Sequence, residues 1–220
     1  MDSQQIQTMT KKDYYLSLLA GFLIGLLLLP ILRAAKPELY DRLFIAIVPF
    51  FLIGTPLGIA IAHRIGTKIS AIWQIAKFAV IGVLNTLVDL GTLSLLIFLF
   101  RKIFVIESTD IIFPLLGITI YSIYKSASFI AANINSYYWN KYWTFDQSIK
   151  EKTRAEFLQF FAVSLVGFLI NVTVASVVFK SVTPFAGFNS DQWGLIGAAA
   201  GSILGLVWNF VGYKFIVFKK

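Results

Sequence analysis

Two stretches, SYYWNKYWTF at 136–145 and NFVGYKFIVF at 209–218, close two long apolar segments with the same cadence. Aligned without a gap, each runs small polar residue, aromatic, two spacers, polar or aromatic, Lys, aromatic, large apolar, Thr or Val, Phe. The apolar spans that precede them also open alike. KFAVIGVLNTLVDL at 77–90 and FFAVSLVGFLINVTV at 160–174 each carry Phe-Ala-Val, then a Gly, then an Asn about one helical turn on. Residues 75–146 and 157–218 therefore read as two copies of one helical hairpin. Two spans per copy is an even number, so the copies share one orientation. The spacing predicts a four-helix bundle with a pseudo-two-fold axis along a membrane normal.

Composition demands the membrane. The chain of 220 residues is 58% hydrophobic and 14% charged, whereas soluble domains carry about 25% charged residues. Too few polar side chains remain to cover a water-facing surface. The net charge of +8 suits Lys and Arg held in cytoplasmic loops better than a nucleic-acid footprint. With no Cys and one His, His63, neither a zinc site nor a Ser-His-Asp relay can be built. No cofactor is expected.

Six apolar runs, at about 14–32, 43–62, 75–100, 116–141, 157–179 and 193–217, are long enough to cross about 30 Å of hydrocarbon. The expected fold is an all-α integral membrane protein of six transmembrane helices. It comprises a bundle of two parallel repeated hairpins (a domain over 66–220) and an N-terminal helical pair over 1–65 that stands outside the repeat. The first span reads as an uncleaved signal-anchor helix, since Arg33 and a second apolar run follow it. With the N-terminus inside, twelve Lys and Arg fall on the inner side and six on the outer. Both termini are thus expected in the cytoplasm, in the inner membrane. Pro114, Gly117 and Lys125 interrupt the fourth span, which makes IIFPLLG at 111–117 a candidate for a partly embedded loop with the helix proper starting near Ile118. Counted from there, Lys125 lies about two turns in, within snorkelling reach of the outer interface.

The aromatics of the closing stretches suit headgroup depth by themselves. The polar residues behind them need another reason. Asn85 and Asp89 are one turn apart on the third span, and Asp89 lies about 18 Å up the helix from Lys77. Asn133, Ser136, Tyr137 and Asn140 share one face of the fourth, Ser164, Gly167 and Asn171 a stripe of the fifth, and the sixth carries Asn209. Helix-to-helix hydrogen bonds, at about 0.6 kcal/mol each, explain any single one. Their gathering in the inner half of the repeat spans points instead to a polar pocket opening inward and rimmed by Lys141 and Lys214. Gly197, Gly201 and Gly205 give the sixth span a tandem small-xxx-small face, for contact with the fourth span or for a homodimer seam.

FAVIGVLNTLVDL, NSYYWNKYWTF, FAVSLVGFLIN and NFVGYKFIVF together resemble the GtrA-like family of small four-span membrane proteins, over about 75–218. The resemblance implies a role in surface polysaccharide synthesis, moving polyprenyl-phosphate-linked monosaccharides across the cytoplasmic membrane. The family's closing motif usually begins with Asn and later has Asn-Arg. Here the first copy has Ser136 and Asn140-Lys141, the second Asn209 and Tyr213-Lys214. Lys in place of Arg loses bidentate phosphate geometry.

The expected activity is a flippase-type carrier rather than an enzyme. Asn85, Asp89, Asn133, Ser136, Asn140, Asn171 and Asn209 would hold the sugar between the hairpins, and Lys141, Lys214, Arg154 or Lys77 the phosphate. Without a G-x-x-x-x-G-K-[ST] motif, transport would run downhill or be ion-coupled through Asp89. One alternative is a scaffold that recruits a glycosyltransferase through DQSIKEKTRAEF, 146–157. Another is an exporter like the small multidrug resistance family, with Asp89 in place of that family's embedded Glu. Membrane lipid surrounds the chain under each reading.

Overall fold

The structure, a computed structural model, describes residues 9–66, 70–105, 109–113, 118–147, 154–184, 187 and 190–219. They divide into two compact units, Met1–Asp146 and Gln147–Lys220. The first unit joins the N-terminal helical pair to the first hairpin.

In that unit α1 spans Lys11–Ala35, α2 Pro37–Gly66, α3 Ser70–Phe104 and α4 Ile120–Trp139. Thr10 caps α1 reciprocally with Asp13: the Asp13 amide donates to Thr10 Oγ1 (3.2 Å), and the Thr10 amide to Asp13 Oδ2 (3.0 Å). Pro37 opens α2, where its missing N–H costs nothing. Gly21 and Gly25 let α1 and α2 touch through their backbones. A Cβ on Gly25 would sit 2.8 Å from Val48 Cα, and one on Gly21 would strike the Phe51 carbonyl. Apolar side chains then bind this pair to α3. One cluster gathers Ala20, Ile59, Trp73, Ile81 and Trp143, another Ile24, Leu84 and Leu87.

The fourth helix starts close to Ile118, as the interrupted run suggests. A short antiparallel ladder, β1 Ile111–Phe113 with β2 Ile118–Thr119, takes the start of the run placed at 116–141, so helix begins only at Ile120. Pro114 and Gly117 lie outside the described residues. Among the described residues six α-helices form, and five of them are long and apolar enough to cross a membrane: α1, α2, α3, α5 and α6. Lys125, Asn133, Asn135 and a run of serines dilute the hydropathy of α4.

The second unit holds α5, Arg154–Ser181, and α6, Ser190–Gly212. The glycine face of α6 meets α5. A Cβ on Gly197 would lie 2.9 Å from the Ala175 carbonyl, one on Gly205 2.9 Å from the Gly167 carbonyl, and one on Gly201 would strike the Asn171 carbonyl. The partner that the structure gives this face is thus α5, which the sequence reading did not consider.

Both closing stretches end in a π-helical turn, Asn140–Thr144 after α4 and Tyr213–Val217 after α6. The Phe145 amide donates to the Asn140 carbonyl at 2.9 Å and the Phe218 amide to the Tyr213 carbonyl at 2.7 Å. These residue pairs are equivalent in the alignment of the two stretches. The shared cadence thus encodes one backbone conformation, a device that recurs at functional sites.

Candidate functional site

Asp89 stands midway along α3, twelve residues from Lys77 and twelve from Arg101, about 18 Å of helical rise from each. A lone carboxylate there would be costly. The Lys125 ammonium of α4 pairs with Asp89 Oδ2. Ser128, three residues on and so on the same face of α4, donates its hydroxyl to Asp89 Oδ1 at 2.6 Å. One turn from Asp89 toward Lys77, Asn85 Oδ1 accepts from Asn135 Nδ2 at 3.4 Å. The pair is not sealed: the Lys125 side chain is 43% exposed and Asp89 22%. Charged residues within membrane spans generally face the bundle interior or a water-filled cavity.

Nearer Lys77, the predicted face of α4 is present but turned inward. Asn133, Ser136, Tyr137 and Asn140 are all buried. Asn133 Nδ2 donates to the Phe129 carbonyl of its own helix at 2.9 Å, and Asn140 Nδ2 to the Ser136 carbonyl at 2.9 Å. Asn140 Oδ1 and Thr144 Oγ1 are buried with no hydrogen-bond partner among the described residues. Lys141 does not rim an opening; it is fully buried, its ammonium 3.5 Å from Tyr137 Oη. Lys77 is also withdrawn. It donates to Asp13 Oδ1 at 2.5 Å and lies 4.2 Å from the centre of the Trp73 ring, while Trp143 Nε1 donates to the same Asp13 oxygen at 3.1 Å.

In the second unit Asn171 Nδ2 donates to Ser202 Oγ at 3.3 Å. Asn209 is half-buried, its Oδ1 without a partner among the described residues, and its amide fills the space over Gly167 where a Cβ would be. Ser164 Oγ and Tyr213 Oη lie 2.7 Å apart. Lys214 is half-buried between the Phe210 and Phe215 rings, and Arg154 is exposed at the start of α5. Among the described residues no three His, Asp or Glu side chains converge as metal ligands would. Residues 148–153 of the expected docking segment lie outside the described residues.

Sequence reasoning found Asn85 and Asp89 but missed Lys125, Ser128 and Asn135 as their partners. Spacing along α4 alone puts Lys125 near an interface, because it carries no information about the distance to Asp89. The i, i+3 spacing of Lys125 and Ser128 was the available signal. No curated protein and no solved structure matches the chain. The family model of the GtrA/DPMS transmembrane domain matches residues 77–218, from Lys77 to the end of the second closing stretch, and the chain belongs to that family.

Proposed function

We propose that the protein is a carrier that moves a polyprenyl-phosphate-linked monosaccharide across the cytoplasmic membrane for surface glycan synthesis, with both termini inside. Family membership supports the substrate class. The observation that carries the reading is the hydrogen-bonded row on α3 and α4: Asp89 with Lys125 and Ser128 at mid-depth, then Asn85 with Asn135 one turn away. Amide and hydroxyl groups that both donate and accept match sugar hydroxyls, and a cation matches phosphate. Simple cohesion between helices needs neither an ion pair at this depth nor a lysine side chain left partly uncovered.

On this reading Asn171 and Asn209 contribute the equivalent polar groups of the second hairpin. The phosphate-binding role expected of Lys77 and Lys141 passes to cations that are less enclosed, Lys125, Lys214 and Arg154. The shared π turns fit a duplicated hairpin whose two ends are built alike. Repeat-built carriers work by moving one repeat against the other.

The test is translocation by the full chain in proteoliposomes, using a panel of labelled short-chain polyprenyl-phosphoryl hexoses. The wild type accelerates flipping of at least one. The Asn85→Ala/Asp89→Ala/Asn171→Ala/Asn209→Ala variant, checked for monodisperse elution, is expected to lose about tenfold or more of that rate. Equal rates would remove the carrier reading.

A further inference from the structure

The Lys125 side chain is 43% exposed although its ammonium is bonded to Asp89, and Ser128 is fully buried with its hydroxyl on the other Asp89 oxygen. This is a cation held in place on a side chain that is not sealed. We propose that Lys125 is where the phosphate of the lipid-linked substrate is held at mid-membrane, and that Asp89 gives way to it by taking up one proton. The proposal rests on the carrier reading and adds its coupling.

Charge balance requires the proton. Asp89 and Lys125 together are neutral. A polyprenyl-phosphoryl sugar is a phosphodiester with one negative charge. If the phosphate simply joined the pair, a net negative charge would be left at the depth where the membrane tolerates it least. If its oxygens replace the carboxylate on the ammonium and the carboxylate gains a proton from water, net charge is zero before and after, and no covalent bond in the substrate changes. Ser128 can serve both states. Its hydroxyl donates to the carboxylate at first, and afterwards accepts from the protonated acid.

Among the described residues, the side chains that α1 and α2 pack against this part of α3 are apolar. α1 and α2 pack Leu23, Leu27, Leu28, Ile31 and Phe51 around the Leu84–Val88 stretch of α3. Besides Lys125, α4 brings Ser128, the amide of Asn135 against Asn85, and Tyr124, whose ring is tilted against that of Phe100. Asp110 lies at the head of α4, its carbonyl accepting from the Ile120 amide at 2.9 Å. Lys77, on α3 itself, is paired with Asp13.

The test is binding of citronellyl-phosphoryl-glucose, a diester that does not titrate near neutrality, to the purified full chain. Calorimetry in two buffers of different ionisation heat counts the protons. For the wild type, uptake of about one proton per ligand is expected, with affinity rising as the pH is lowered. Asp89→Asn loses both proton uptake and the pH dependence of affinity. Lys125→Met weakens binding by about tenfold to a hundredfold, and Lys125→Arg retains it, which separates a lost charge from a misfolded chain. Binding without proton uptake, unchanged proton uptake in Asp89→Asn, unchanged affinity in Lys125→Met, or no binding by the wild type would each overturn the proposal. Flipping in proteoliposomes without proton uptake would leave the carrier reading standing. Proton-linked binding without flipping would do the reverse.

Discussion

Lys77 and Asp13 stand 64 positions apart in the chain and 2.5 Å apart in the fold, with both side chains less than a tenth exposed. The bond joins the first residue of the family match to a helix outside it. Trp143 of the first π turn donates to the same carboxylate, so one acid ties α1, α3 and the first closing stretch together. This gives the N-terminal helical pair a structural task.

Breaking that pair from one side leaves a buried charge uncompensated. Asp13→Asn or Lys77→Met alone is expected to destabilise the protein by about 3–5 kcal/mol, and the double variant by clearly less. Thermal unfolding of the solubilised full chain, followed by Trp fluorescence, measures both. A double variant as unstable as the sum of the singles would mean that the two groups do not act as a pair.

The glycines of α6 and α2 should respond oppositely to Ala. At Gly205 the added Cβ would press on the Gly167 carbonyl of α5, and at Gly201 on that of Asn171; each change is expected to cost about 1–3 kcal/mol. At Gly54 and Gly58 a Cβ meets nothing within 4 Å, and Ala there should be neutral or slightly stabilising. Melting temperatures of the four single variants decide it.

The π turns can be probed by shortening. Removing Tyr142 turns the segment after it by about 100° if the chain continues as an α-helix. Trp143 then leaves Asp13. Its emission should shift to the red, and stability should fall together with that of Trp143→Phe. An unchanged spectrum would show that the extra residue is not what aims the indole.

Burial of the lysines predicts their chemistry. Lys77 is 5% exposed and Lys141 fully enclosed, whereas Lys11 and Lys12 lie in the open. Brief acetylation of the folded protein, read by peptide mass spectrometry, should modify Lys11 and Lys12 and spare Lys77 and Lys141. Early modification of Lys141 would restore it as a rim residue.

Tyr213 Oη and Ser164 Oγ form the tie between α5 and the second π turn, beneath a stacked Phe160–Tyr213 pair at 4.2 Å. Tyr213→Phe keeps the stacking and removes the hydroxyl, for an expected loss of about 1 kcal/mol. Tyr213→Ala also opens the core and should cost several times more. Thermal unfolding of both variants checks the ratio.

The amino-acid sequence alone determined the solvent, the helices and the paired ends. Apolar runs of spanning length can satisfy their backbone in lipid only as helices, and two stretches with the same cadence of aromatics and Lys take up the same turn. It also determined which residues of α4 share a face, because 3.6-residue spacing is a local property. What that face meets was left to the tertiary structure. The rotation of α4 about its own axis turned Asn133, Ser136 and Asn140 into the interior and brought Lys125 and Ser128 onto Asp89. Packing likewise chose Asp13 for Lys77 and α5 for the glycines of α6. A partner 36 or 64 positions away is selected by the fit of whole helix surfaces, and no local spacing encodes that fit.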